Sequence, residues 1–391
     1  MILKKVLVVG GGIGGCAVAL ALQQRGFAVE VFERSPVLQE VGAGLSLWPN
    51  ATQVLRLLGL QQSLQSLAGP VTEGGIYTSK GERLAGNSTH IFDEHYDDPM
   101  MVVHRADLLD ALCSALGPDV VRTNAACKGF TQDDEGVTLH LESGEDIQGD
   151  LLIGADGIRS VVRRELGLPS QTRYAGYMAW RGVMDLSASG LDASDDFWGF
   201  YLGEGKQVGL TALSEGRVYW FATENTESGG KGSPDGHKAD VLRLYKDWPE
   251  AVVRIIEATP DEAILRNDII DLKPIKQWSQ GRVVLLGDAA HATTPNMGQG
   301  ACMALEDALV LAQLLSQHTE LHAALSAYES RRIPRANKVV TQSWWTGKLF
   351  QLNNRLLCWL RNQLLLRSPI EKRLKQLDWL IGKSFSSSEG K

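Results

Sequence analysis

GRVVLLGDAAHATTPNMGQGACMALEDA, running from Gly281 to Ala308, is the stretch whose reading decides the fold. Arg282 to Leu286 is a short β-branched and leucine run that suits a buried strand, and Gly287 stops it, so Asp288 is held at the strand's carboxyl end. The loop from Thr293 to Gly300 holds one proline and two glycines, so its backbone amides can approach a ligand closely before a helix expected over Ala301 to Leu315. The free amides and positive dipole end of that helix favour a flat ligand edge that carries or develops negative charge. An acid placed for a chain of hydroxyls, beside a helix start placed for an electron-rich ring, suits a flavin.

Working outward, the amino terminus supplies a βαβ unit. Val6 to Val9 is an apolar strand, Gly10, Gly12 and Gly15 make G-x-G-x-x-G, Ile13 to Gln24 is helical, and Ala28 to Phe32 is a second strand that ends at Glu33. The glycines allow a sharp turn, approach of backbone to a pyrophosphate and close helix packing, while Glu33 stands where a carboxylate accepts from a ribose hydroxyl. A carboxylate there suits an unphosphorylated ribose. Arg34 lies over an adenine or is a solvated surface charge. Lys4, Lys5 and the uncharged run after them imitate a secretory signal, but the glycines in its middle suit a phosphate-binding turn and weaken a targeting helix.

Between the two ends come further stations. Val41 to Asn50 is a small-residue loop in which Ser46 either bonds a ligand or only packs, followed by a helix over Ala51 to Leu58. Val71 to Thr78 and Arg83 to Leu84 have hairpin punctuation. Arg105 opens a helix reaching Leu116, and either holds a phosphate or flavin chain bidentately or pairs on the helix surface. Leu151 to Arg163, LLIGADGIRSVVR, is a buried strand running into a second acid at a strand end; Asp156 either caps the next helix or holds the cofactor indirectly. Tyr174 to Ala222 then alternates apolar and polar residues and is rich in Trp, Tyr and Phe, the pattern of an antiparallel sheet with one face for helices and the other for a ligand.

The chain has 391 residues and a net charge of −7, so it can bury a large core and is not built for nucleic acid. Five widely spaced cysteines suggest reduced thiols in a cytoplasmic compartment, and none has metal-site spacing.

GGGIGG with Glu33, GADG at 154–157 and GDAAHATTPNMGQG at 287–300, in that order, resemble the class A FAD-dependent aromatic hydroxylases typified by para-hydroxybenzoate hydroxylase. The resemblance spans about residues 1–335. It implies an α/β fold: a glutathione-reductase-type, Rossmann-like FAD-binding domain (1–75, 101–173 and 276–335) interrupted by an antiparallel β-sheet substrate domain (76–100 and 174–275), then C-terminal helices (336–383) and a disordered tail (384–391). It also implies that NADH or NADPH visits as a transient co-substrate, and that the reduced flavin and O2 form a hydroperoxide which delivers one oxygen atom to an aromatic or heteroaromatic small molecule. Carried over by residue, Gly14, Gly15, Glu33 and Arg34 surround adenosine and pyrophosphate, Ser46 and Arg105 lie along the flavin chain, and Asp288 takes the ribityl hydroxyls. Gly298, Gln299, Gly300, Ala301 and Cys302 set amides against the pyrimidine edge.

For the substrate, RYAGYMAWRG, GEGKQV and GRVYWF, from Arg173, Gly203 and Gly216, are similar to the bacterial FAD-dependent urate hydroxylase. That resemblance puts Gln207 where an arginine holds urate and Tyr219 at the active-site tyrosine, which points to a less anionic or differently shaped substrate. Tyr219 is a substrate ligand or base, or packs in the sheet; Arg181 meets a substrate carboxylate or a structural acid; His291 packs beneath its loop. Ser343 to Leu380 reads as a basic, tryptophan-bearing helical segment that packs on the body or on a second copy, as in a homodimer, or makes weak contact with a membrane. GDAAHATTPNMGQGACMALEDA also resembles the zeaxanthin epoxidases, which keeps an epoxidase of an apolar isoprenoid as an alternative, beside a flavin reductase without productive oxygenation.

Overall fold

The computed structural model describes residues 4–38, 43–69, 73–88, 96, 98–192, 198–230, 232–368 and 370–381, apart from the side chains at 73, 87, 88, 370–374 and 376. The tail Ser384 to Lys391, and the outset of the stretches expected from Val41 and Val71, lie outside those residues.

Short apolar runs make the first sheet. Lys5–Val9, Leu151–Gly154 and Val283–Leu285 are almost wholly buried, as parallel strands covered on both faces must be. The spatial order is Ser279–Gln280, Val283–Leu285, Leu151–Gly154, Lys5–Val9, Ala28–Phe32, Val121–Arg122, parallel except at the Ser279–Gln280 edge. Register decides where the site lies. Val9 is level with both Phe32 and Gly154, and Gly154 is level with Leu285, so Gly10, Glu33, Ala155–Asp156 and Gly287–Asp288 leave the sheet along one carboxyl edge.

A second, seven-stranded sheet runs Leu265–Leu272, Thr172–Asp185, Arg217–Asn225, Lys206–Ala212, Gly199–Leu202, Glu73–Thr78, Arg83–Ser88. The alternation in Arg217–Asn225 sends Val218, Trp220 and Ala222 into a core with the helices His237–Tyr245 and Glu250–Ala258. Tyr219, Phe221 and Thr223 therefore share the opposite face.

Several boundaries move. The helix expected from Ala301 begins at Gly300 and runs to Gln317, and the helix expected from Ala51 begins at Pro49, a residue suited to a helix's first turn. The tail differs more. In place of one helical stretch from Ser343 there is a helix Leu321–Phe350 that passes straight through residue 335, then Arg355–Leu366 and Ile370–Ile381. The break falls at Asn353–Asn354, where the Asn354 side chain accepts from the Leu356 and Leu357 amides at 3.0 and 3.1 Å and starts a new helix.

Candidate active site

The carboxyl edge of the first sheet and the outward face of the second enclose one cavity of about 1620 Å³. Gly10, Gly12, Gly14, Glu33, Arg34, Ser46, Arg105, Asp156, Asp288, Gly298, Gln299, Gly300 and Ala301 line it from the first sheet and its loops, and Arg181, Gln207 and Tyr219 line it from the second. Two expected residues do not line it. A Cβ on Gly15 would lie 1.9 Å from the Gly10 carbonyl oxygen, so Gly15 serves the packing of its helix on the turn. Cys302 is fully buried, with its thiol 3.5 Å from the Gly298 carbonyl and 3.6 Å from that of Ser46, and burial pushes the thiol up to about 12.

Gly10 holds φ at +105°, and a Cβ there would meet the Ala155 carbonyl oxygen at 2.4 Å, so only glycine lets the turn lie this close to the neighbouring strand end. Glu33 is braced at the rim, accepting from the Gly11 amide at 2.7 Å and the Ser35 amide at 2.9 Å. Asp156 spends its carboxylate on its own helix: Val161 and Val162 donate amides to it at 2.7 and 3.2 Å, and Ser160 donates its hydroxyl. Of its two readings, the cap is the one the geometry contains. Burial, offset only in part by these donors, raises its pKa.

Arg105 opens the helix Arg105–Leu116, its amide bonded to the Ala43 carbonyl at 3.0 Å. Burial lowers its pKa, Asp288 raises it and Arg181 lowers it, so these three charges act on one another across the cavity. Asp288 begins a one-turn helix Asp288–His291 directly after Gly287, which has φ +61°. Next comes the loop to Gly300, with Gly298 in the left-handed region at φ +60°. The helix Gly300–Gln317 has no side-chain cap, and its first amides have no acceptor within the helix.

On the opposite wall, strand pairing sets Arg181 level with Phe221, and Gln207 level with Thr223. Arg181 donates to Asn267 at 2.6 Å, not to an acid, and its Nε has no protein partner. Gln207 is buried beside Thr223, whose hydroxyl takes a 2.6 Å bond from Gln351. Tyr219 packs on the strand Gly44–Leu47, where a Cβ at Gly44 would come within 2.5 Å of its ring. Burial raises the phenol to about 12 despite Arg181, so it is a neutral O–H donor at ordinary pH.

The residues that hold this edge in place escaped the sequence reading. Glu306 and Asp307 are wholly buried in the helix Gly300–Gln317. Asp307 accepts from His291 at 2.5 Å, from Arg332 at 2.6 Å and from the Gly287 amide at 3.1 Å; Glu306 accepts from Asn50 and Arg335, each at 2.6 Å, and from Arg332. His291 thus packs beneath the loop, as expected, and outside the cavity. A signal was present in MALEDA, two adjacent acids inside an apolar helical run, with Arg332 and Arg335 one turn apart downstream.

The family model for the FAD binding domain matches residues 4–343. The chain belongs to that family. It is 41% identical over 361 residues to the aurachin C monooxygenase/isomerase of Stigmatella aurantiaca, covering 92% of this chain and 93% of that one. It is 35% identical over 341 residues to the FAD-dependent urate hydroxylase of Klebsiella pneumoniae, covering 87% and 88%. The solved structure of Klebsiella pneumoniae HpxO with FAD and uric acid matches with a TM-score of 0.89 at 32% identity, over 96% of this chain and 95% of that one.

FAD fits what the cavity offers. The glycine turn lining the cavity from Gly10 to Gly14, the braced carboxylate of Glu33 and the uncapped helix start suit a dinucleotide with a flat, electron-rich ring. Near that helix start, the buried Gln299 Nε2 and Thr293 Oγ1 have no protein partner, polar atoms that a bound ring edge would satisfy. The same cavity continues from this wall to Arg181, Gln207 and Tyr219, so a second molecule can lie beside the cofactor.

Proposed function

We propose that this FAD-dependent monooxygenase uses NADH or NADPH and O2 to hydroxylate an aromatic or heteroaromatic small molecule held between the helix start at Gly300 and the sheet face bearing Tyr219. The observation that carries the reading is the shared cavity: the glycine turn, Glu33, Asp288 and the uncapped helix start on one wall, and on the other a neutral phenol, an arginine with a spare N–H and an amide side chain. Relatives named for urate and aurachin C support a ring substrate.

FAD, once reduced by the nicotinamide donor, supplies the oxygen activation. The chain supplies placement. The glycine turn would bring backbone up to the pyrophosphate, with the Gly10 and Gly11 amides already bonded to Phe32 and Glu33, while Glu33 would accept from the adenosine ribose and Arg34 would lie beside the adenine. Ser46 and Arg105 would flank the middle of the cofactor, and Asp288 would accept from the ribityl hydroxyls. The amides from Gly298 to Ala301 would meet the pyrimidine edge and stabilise negative charge there. Tyr219 keeps its proton and donates it in a hydrogen bond to a substrate oxygen, so its role is a ligand's and not a base's. Arg181 offers the N–H that Asn267 leaves free. Gln207 offers a neutral amide, which suits a substrate carrying less negative charge than one met by a guanidinium. Phe221 and the buried sheet face keep bulk water from the reacting carbon.

The five cysteines are unbridged, which supports a cytoplasmic, reducing setting. Stopped-flow reduction of the yellow protein by NADH tests the function: an aromatic compound that accelerates flavin reduction, with a hydroxylated product, is expected. Stoichiometric hydrogen peroxide without product across a panel of phenols refutes it.

A further inference from the structure

The helix Arg355–Leu366 faces solvent with the wrong residues. A surface helix normally turns its polar side to water. Here Arg361 and Cys358 are turned inward, while Leu356 is 64% exposed, Trp359 55%, Leu364 71% and Leu366 50%, with Leu357 and Leu360 beside them. The inward side is anchored. Arg361 donates to the Phe350 carbonyl at 3.0 Å and to the Gly203 carbonyl at 3.2 Å, and the Cys358 thiol to the Leu352 carbonyl at 3.1 Å. The leucine face therefore cannot roll inward. Trp345, 66% exposed, and Leu349 are likewise open to solvent on the last turns of the preceding helix. Single exposed apolar residues need no explanation, but a contiguous face of this kind marks a contact surface.

Charge says what covers it. From Ser330 to Ile370 the chain has eight Lys and Arg and no acidic residue, in a protein whose net charge is −7; Arg332 and Arg361 are buried and Arg335 is bound to Glu306, so the remaining five supply the charge toward solvent. Arg355, its side chain 89% exposed and 3.5 Å from the half-exposed carboxylate of Glu204, stands at one end of the leucine face and the exposed Arg367 at the other. Leucine and tryptophan flanked by arginine is the composition of a helix lying in a lipid interface. A two-fold contact between copies would set these arginines against their like. No helix among the described residues is long and apolar enough to cross a membrane, so the contact would be with a surface. The cavity also reaches this face. Leu365, between Leu364 and Leu366, lines it, as do Phe350 and the partly exposed Phe200.

We propose that this leucine–tryptophan face seats the enzyme on an anionic bilayer surface, and that its substrate is an aromatic ring bearing an apolar chain, drawn from the lipid past Leu365 and Phe350 to the flavin. The inference rests on the monooxygenase reading. It is tested on the FAD-loaded protein and the triple variant Leu356→Gln, Leu360→Gln, Leu364→Gln, sedimented with vesicles of phosphatidylcholine alone or mixed with phosphatidylglycerol. Expected is wild-type binding to the mixed vesicles that weakens as salt rises, and binding by the variant at least about tenfold weaker at unchanged FAD content. In the same vesicles, a long-chain alkylphenol should accelerate NADH consumption more than phenol does. Wild-type protein that stays in the supernatant overturns the proposal, as does a variant that binds equally well. So does a wild-type dimer that the variant converts to monomer, which would assign the face to a second copy. Phenol matching the alkylphenol overturns the substrate class. Yellow, NADH-reducible protein that ignores vesicles refutes this inference alone, whereas protein that never holds FAD refutes the monooxygenase reading.

Discussion

Replacing Arg332 by methionine should loosen the flavin edge from behind. Arg332 is almost fully buried and joins Asp307, at 2.6 Å, to Glu306. Burial works against ionisation of both acids, but Arg332 and Arg335 hold the Glu306 carboxyl below its usual pKa, and His291 and Arg332 do the same for Asp307. Methionine keeps much of the volume and removes the charge. Arg335 still neutralises Glu306, so the deficit falls on Asp307, left with His291 and the Gly287 amide. Breaking one side of a buried ion pair costs about 3–5 kcal/mol. With an unfolding entropy of about 2.1 cal/mol/K per residue over 391 residues, that lowers Tm by about 4–6 °C. Differential scanning fluorimetry of FAD-free and FAD-loaded protein measures it, and the loaded form should lose more, because Asp307 also holds the turn that presents Asp288. The pH dependence has a definite sign. Carboxyls held below their unfolded pKa stabilise above about pH 4 and lose that contribution as pH falls through their folded values, so the gap between wild type and variant should narrow on acidification. A Tm change under about 1 °C, or a gap that survives undiminished below pH 4, would refute the clamp.

Asp288→Ala should weaken FAD binding about ten- to a hundredfold, the loss of charge-assisted hydrogen bonds worth roughly 1.5–3 kcal/mol, as read by the 450 nm absorbance retained on gel filtration. Tyr219→Phe keeps the ring against Gly44 and removes the O–H; turnover should fall about 10²-fold with FAD content unchanged. With the phenol raised to about 12, the wild-type kcat/KM profile should show no limb from Tyr219 across neutral pH, and a limb that vanishes in the variant would show that it titrates there. Gly10→Ala combines φ of +105° with a Cβ 2.4 Å from a backbone oxygen, and should yield colourless or insoluble protein; a yellow, active variant would show that the turn has slack.

How much was legible depends on whether a feature is local. Gly10, Gly287 and Gly298 hold positive φ at turns that the glycine pattern marked, and Glu33 and Asp288 are acids at the ends of apolar runs, so this wall of the cavity could be read along the chain. Asp156 shows the limit, since the same spacing serves a cap or a ligand and only its bonds to Val161 and Val162 decide between them. The clamp that joins Asn50, His291, Glu306, Asp307, Arg332 and Arg335 spans more than 250 residues of chain, and no local pattern announces such pairing. The alternation in Arg217–Asn225 likewise foretold two faces without saying which neighbours would share Tyr219's side; strand register settled that.

By itself, then, the sequence determined the dinucleotide turn, the acids at the strand ends and the uncapped helix start, because backbone conformation and residue chemistry at those points are short-range. Tertiary structure alone decided that Gly15 and Cys302 lie behind the cavity and that the helix Arg355–Leu366 shows its leucines to solvent. The physical reason is competition: periodicity defines the two faces of a helix, but which face is buried depends on what the body offers, and here the carbonyls of Gly203 and Phe350 bind Arg361 and turn the leucines outward.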